Sequence, residues 1–395
     1  MKIKIAIIIE RANIVLGGAE RSVFELTTAL SAGGLDVHIL AAKGQTNAKN
    51  IHLLCQHHPG KRVPHYIFAK AIKKHLAQNH YDIIHSVLPF DFAHVYQPRG
   101  GTFAESILRN AASYQNSLLS SYKRATAFAN LRRTLLLRAE KKLCRNQNGP
   151  VLAALSNYVA EQFKKHYQAD EQQIVIIPNG VRINKPLYPV EADKLRSQIL
   201  AKLAVKEADE PVFLLFVANN FRLKGLAVLI KALHLATTGH TADRTWLIIA
   251  GHGRSHKYRL LAKKLNVHKK IVFLGPIRHI QNALAITDVA VLPTFYDPSS
   301  RFTLEALAAH KPVITTRFNG ATDLFVDNRH GRIIDSPENI PALAEAIAHF
   351  ADADNIREAS QAIITDNLRE KISIGRAAKQ LISVYESILE NRRQI

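Results

Sequence analysis

The sequence predicts an α/β protein of two consecutive halves, each a parallel sheet with helices on both faces. Three observations predict it. Short, β-branched apolar runs alternate with amphipathic segments of helical period along the whole chain. Many of the runs are apolar at nearly every position, which is the pattern of strands covered on both faces. The alternation pauses at PNGVRINKPLYPVE, rich in Pro, Asn and Gly, near the middle of 395 residues, a length that suits two domains of about 150–200 residues.

Taken in order, the strand candidates of the first half are IKIAIII from Ile3, DVHILAA from Asp36, IHLLCQ from Ile51, DIIHSVL from Asp82 and VLAAL from Val151. Those of the second half are PVFLLFVA from Pro211, TWLIIAG from Thr245, IVFLG from Ile271, DVAVLPT from Asp288, PVITT from Pro312 and GRIID from Gly331. Between them lie helical segments such as AERSVFELTTALSAGG, GLAVLIKALHLATT, YRLLAKKLNV and RFTLEALAAH. Two Rossmann-like domains follow, 1–180 and 181–370. The last helical pattern, long and charged over 366–394, is expected to return and pack on the first domain through residues 371–395.

One region breaks the alternation. Residues 107–145 read as a long helical insertion with nine basic residues and one acid, Glu140. Leucines share the segment, so a solvated basic face and a membrane-surface helix both fit it. The opening MKIKIAIIIERAN carries a short isoleucine-dominated run without a small-residue cleavage site, and reads as a buried strand. No run of 18 apolar residues suggests a spanning helix. Cys55 and Cys144 are too few and too far apart for a disulfide framework or metal cluster, and read as reduced thiols.

Charge narrows the partners. Fifty-three Lys+Arg against 32 Asp+Glu give a net +21, so a polyanion is expected: nucleic acid, an anionic membrane, or a phosphorylated substrate. Aromatic residues total 7%, and the basic insertion offers only Tyr114, Tyr122 and Phe128 as stacking platforms, which disfavours nucleic acid.

Chemistry-bearing residues gather where strands end. After DVAVLPT, the turn YDPSS leads into the helix RFTLEALAAH. Ligands of open α/β sheets bind beyond the carboxyl ends of strands, and the first amides of a helix suit phosphate. Phe302, Thr303 and Leu304 supply those amides. Glu305 can accept hydrogen bonds from a ribose diol and Asp297 from hexose hydroxyls; helix-dipole compensation and turn shaping are the plainer readings of the two acids. After PVFLLFVA, Arg222 and Lys224 lie two apart in NNFRLKG, suited to a diphosphate. Gly251 and Gly253 follow the next strand, where small residues permit close approach. Gly17 and Gly18 precede a helix that carries Glu20 and Arg21 in its first turn. Neither glycine pair forms the G-x-G-x-x-G of a dinucleotide site.

In order along the chain, GGAER, PNGV, RLKG, AGHG, FLG and an acid-x7-Glu pair followed by ALAAHKPVITT resemble the retaining GT-B glycosyltransferases of family four. RLKG, YDPSSRFTLEAL and the basic first-domain region look most like the lipopolysaccharide-core glucosyltransferases within it. The resemblance implies a GT-B fold, two Rossmann-like domains facing a cleft, and transfer of a hexose, glucose favoured, from a UDP-sugar to a lipopolysaccharide-core or similar glycolipid. It also implies roles. Gly18 would approach the donor phosphates, Arg222 and Lys224 would stabilise the leaving diphosphate, and main chain near Gly251 would line the donor site. Main chain near Ile277 would read the base. Asp297 would bind the hexose, Phe302, Thr303 and Leu304 would offer amides, and Glu305 would hold the ribose. Retention in the family is explained by same-face attack with the leaving phosphate taking the acceptor's proton, without metal or other cofactor.

Two departures stand out. Asp297 occupies the place of the family's first glutamate, one methylene shorter. Many relatives carry a His or Asp after a first-domain strand, whereas HVYQPRGGTFAE places Arg99, Gly100 and Gly101 there. Arg99 and Glu105 are therefore acceptor-side candidates, and no general base is named. The expected partners are a nucleotide-sugar, a phosphorylated glycolipid and the inner face of the cytoplasmic membrane, with no nucleic acid. The alternatives are a basic nucleic-acid-binding protein and a non-catalytic GT-B scaffold.

Overall fold

A computed structural model describes residues 2–13, 18–46, 48–60, 62–239 and 241–393. The chain divides into two compact units, one of residues 1–111, 116–180 and 373–395, the other of 112–115 and 181–372.

The first unit holds seven strands: β1 (Lys4–Ala12), β2 (Asp36–Gly44), β3 (Ile51–Leu53), β4 (Ile83–Ser86), β5 (Val95–Tyr96), β6 (Val151–Ala154) and β7 (Ile174–Ile176). They form one parallel sheet in the order β3-β2-β1-β4-β5-β6-β7. β1 and β2 run in register from Lys4 opposite Asp36 to Ala12 opposite Gly44. Ile5, Ile7 and Ile9 of β1 pack with Val23, Leu26 and Leu30 of the helix Gly18–Ala32, and Ala6 and Ile8 face Phe68 and Ile72 of the helix His65–Gln78. Alternate side chains thus serve opposite layers. The terminal helix Ile374–Arg393 belongs to this unit and buries Ala378, Leu381 and Tyr385 in the β1 layer.

The second unit repeats the plan with β8 (Val212–Val217), β9 (Thr245–Ala250), β10 (Ile271–Gly275), β11 (Val289–Leu292), β12 (Val313–Thr316) and β13 (Gly331–Ile334), ordered β10-β9-β8-β11-β12-β13 and parallel throughout. Phe213, Leu214, Leu215 and Phe216 of β8 are fully buried, at roughly 2–3 kcal/mol each from apolar transfer. In both sheets the strand order reverses once, between β1 and β4 and between β8 and β11. Such a reversal splays the following loops to opposite faces and leaves a crevice at the strand ends.

Three expectations change in detail. β5 and β7, of two and three residues, carry too short a run to be read as strands. The insertion is three α-helices, Phe103–Ala112, Ser117–Ala125 and Leu131–Cys144, not one long one. Asn116 and Asn130 begin the second and third by accepting the amides of Leu119 and Arg133 on their side chains. The 366–394 pattern is also interrupted: Asn367 takes φ 51°, and a short turn Leu368–Lys371 precedes the final helix.

Candidate active site

In the second unit, the loops leaving β8 and β11 meet at the strand-order reversal and are tied to each other. The Phe295 amide donates to the Leu223 carbonyl at 2.9 Å. Gly225 takes φ +81°, and a Cβ there would lie 1.9 Å from the Pro293 carbonyl oxygen, so only glycine lets the two loops close. Lys224 then reaches across. Its ammonium donates to the Tyr296 carbonyl at 2.8 Å and to Asp297 Oδ2 at 2.6 Å. Both side chains are mostly but not wholly shielded, 19% and 16% exposed.

Asp297 is held through its backbone. Its amide donates to the Phe318 carbonyl at 2.9 Å, and its carbonyl accepts from the Gly320 amide at 2.8 Å. Between these two lies Asn319, fully buried. Asn319 Oδ1 accepts the amides of Ser300 and Ala321, both at 3.1 Å. Its Nδ2 donates to Thr303 Oγ1 at 2.9 Å and Thr315 Oγ1 at 3.0 Å. One side chain therefore joins the turn after β11, the helix Arg301–Ala308 and the exit of β12. Sequence reasoning missed it. The signal available was an Asn-Gly pair two residues beyond the strand PVITT, after Arg317 and Phe318.

That helix departs from expectation at its first turn. Ser300 is its N-cap, its Oγ accepting the Thr303 amide at 3.3 Å, while the Leu304 amide bonds to the Ser300 carbonyl at 3.1 Å. These two of the three amides assigned to phosphate are used inside the protein. The side chains of Phe302, Thr303 and Leu304 are buried. Glu305 faces a partner the sequence reading did not name: Lys185 Nζ donates to its carboxylate at 2.6 Å, and Arg301 Nη2 lies 3.5 Å away. All three side chains are about nine-tenths shielded.

Arg222 does not join Lys224 at these carboxylates. Its guanidinium donates to Ser113 Oγ and stacks 3.8 Å from the centre of the Tyr114 ring, in the 112–115 segment that groups with this unit. Burial lowers its pKa from the usual arginine value. The reason for Gly251 also differs. With φ +124°, its Cβ would lie 1.8 Å from the Ala218 carbonyl oxygen, so the close approach there is by the chain's own backbone. The Cβ of Gly253 would strike the Phe221 ring. Ile277 is half-buried against the core of the unit.

In the first unit, Gly17 lies outside the described residues, and Gly18 is the first residue of its helix, not a position before it. Glu105 is locked inside, accepting from Arg109 Nε at 2.6 Å, His166 Nε2 at 2.7 Å and the Tyr158 hydroxyl at 3.1 Å. Burial opposes its charge, but these bonds prevail and hold its pKa down at about 2. A carboxylate so engaged is a structural post. Arg99, half-buried just after β5, lies in the field of His85 and Tyr385. His85 Nδ1 and the Tyr385 hydroxyl are 2.6 Å apart, and burial lowers the histidine to about 3, so it is neutral. His94 Nδ1 accepts the Ile84 amide at 3.0 Å.

The assembled features of the second unit suit an anionic, hydroxyl-bearing ligand: an ammonium between loop carbonyl and carboxylate, and a second ion pair, Lys185–Glu305, on the helix that follows the loop. The family model "Glycosyltransferase Family 4" matches residues 16–185, and "Glycosyl transferases group 1" matches residues 200–366. The chain is 22% identical over 337 residues to the lipopolysaccharide glucosyltransferase WaaG of Escherichia coli (strain K12), spanning 84% of this chain and 85% of the relative. It is 28% identical to the D-inositol 3-phosphate glycosyltransferase of Corynebacterium glutamicum (strain R), over 64% of this chain and 61% of the relative. Among solved structures, WaaG superposes with a TM-score of 0.68 at 20% identity, over 98% of both chains. Anabaena Alr3699/HepE in complex with UDP-glucose gives 0.70 at 15% identity, over 97% of this chain and 99% of that one. Among the described residues, no helix is long and apolar enough to cross a membrane.

Proposed function

Because the chain belongs to the GT-B glycosyltransferases of family four, we propose that it is a retaining enzyme that moves a hexose, glucose by preference, from a UDP-sugar to a lipopolysaccharide-core or similar phosphorylated glycolipid. The observation that carries this reading is the Lys224–Asp297 pair at the β8/β11 reversal. In it a cation and a hydroxyl acceptor are held by loops hydrogen-bonded to each other. In the proposed reaction the bond from the anomeric carbon to UDP breaks and a bond to the acceptor oxygen forms on the same face. The acceptor's proton passes to the departing phosphate. Negative charge grows on that phosphate, where Lys224 Nζ stabilises it, and no metal is required. Asp297 holds Lys224 in place before the donor arrives and then takes hexose hydroxyls. Glu305, oriented by Lys185, takes the ribose.

The helix Ser117–Ala125 supports a peripheral position on the inner face of the cytoplasmic membrane. It buries none of its residues, exposes Leu118 and Tyr122, and ends with Lys123 and Arg124. Binding to anionic vesicles that weakens with salt is the expected result; indifference to lipid charge would remove the membrane claim and leave the enzyme. The activity is tested by thermal shift with UDP-, GDP- and ADP-sugars, followed by release of UDP. Stabilisation by UDP-glucose is expected. A panel that stabilises nothing, with tight oligonucleotide binding, would return the protein to the nucleic-acid class.

A further inference from the structure

A groove of about 540 Å³ opens on the first unit between the helices His65–Gln78 and Leu131–Cys144. That volume is in the range of small-molecule sites, roughly 300–1,000 Å³. Its lining is apolar along Pro89, Phe90, Phe92, Ala69 and Leu143. Lys70, Lys73 and Lys142 line it as well, against one carboxylate, Asp91, 4.0 Å from Lys73 Nζ. The Lys73 ammonium rests 5.2 Å from the centre of the Phe92 ring, so charge and hydrocarbon surface are already adjacent.

Two further observations point to an anion with a polar head. The helix His65–Gln78 starts at the groove behind Pro64, with no side-chain cap and no acid in its first turn, so no group of its own balances the positive end of its dipole. His65 stacks on Phe90 with ring centres 4.5 Å apart, and its buried Nε2 has no hydrogen-bond partner. Burial lowers the pKa of this histidine, against a hydrogen bond with the Pro89 backbone that raises it. A small inorganic anion would leave the apolar floor bare, and a neutral hydrocarbon would leave unmatched the excess of three lysines over the one carboxylate of Asp91.

We propose that this groove binds one phosphate-bearing lipid, its hydrocarbon chain along Phe90, Phe92 and Leu143 and its phosphate among Lys70, Lys73 and Lys142. The proposal concerns the first unit alone and does not depend on sugar transfer. Titration of the full chain with dodecyl phosphate below its micelle concentration, followed by calorimetry, is expected to give one saturable site. Ala69→Trp fills the groove without changing charge and should weaken binding at least tenfold. Ala139→Trp, on the facing helix, should do the same, so that one variant remains if the other fails to fold by circular dichroism. Lys70→Ala/Lys73→Ala/Lys142→Ala should weaken dodecyl phosphate but not dodecyl maltoside. Equal binding of inorganic phosphate, equal binding of dodecyl maltoside, or affinity unchanged in both tryptophan variants would each overturn the proposal.

Discussion

Replacing Asn319 with alanine tests how the second unit holds its candidate site. The side chain is fully buried and makes four hydrogen bonds, two accepted from the Ser300 and Ala321 amides and two donated to Thr303 and Thr315. The threonines suffer less, because Thr315 Oγ1 keeps its own bond to the Leu292 carbonyl at 2.7 Å. The two amides cannot rotate to new acceptors, and each buried donor left without one costs about 1–3 kcal/mol. The expected destabilisation is therefore about 4 kcal/mol. Trp246, on β9 of the same unit, is the only tryptophan, so urea unfolding followed by its fluorescence reports this unit selectively. With the dependence on urea unchanged, a loss below about 1 kcal/mol would refute the assignment of Asn319 as the tie between turn, helix and strand. Because the Asp297 backbone is bonded on either side of Asn319, the folded fraction should also bind UDP-glucose more weakly.

Lys224→Ala and Glu305→Ala should each lower turnover by two to three orders of magnitude, about 3–4 kcal/mol, while circular dichroism stays native; near-normal turnover in both would remove the assigned site. Gly225→Ala puts a Cβ against the Pro293 carbonyl at a left-handed φ, and should cost at least about 2 kcal/mol in the same fluorescence assay. Glu140 is fully buried, and burial raises its pKa to about 7 despite bonds from Tyr167, Tyr96 and the Phe103 amide. Its folded pKa lies above the unfolded value, so the stability it contributes is complete below about pH 4.5 and is lost as pH rises through 7, on the order of 3 kcal/mol. Glu140→Gln should flatten the pH dependence of stability between these values, measured by thermal unfolding; an unchanged slope would contradict the raised pKa.

The plan of two α/β units, each sheet covered on both faces, was legible because such parallel strands must be apolar on both faces, which β1 and β8 declare in their own residues. β5 and β7 were not, because two or three residues carry no period. The acids and cations at strand ends were legible as residue types at junctions, and Lys224 with Asp297 came together as a pair although 73 residues separate them. Their pairing with each other, the diversion of Arg222 to Tyr114, and the locking of Glu105 inside the first unit were not legible. Those outcomes depend on which side chain wins a partner at 2.6–3.8 Å.

What the sequence determined by itself was local: where strands and helices form, where they stop, and which residue types stand at the stops. Tertiary structure alone decided that Lys185 faces Glu305 and that Asn319 binds three elements at once. It also decided that Gly251 makes room for the Ala218 carbonyl. The physical reason is that hydrogen bonds and ion pairs act over a few ångströms in space, and chain separation does not encode that distance until the strand order is set.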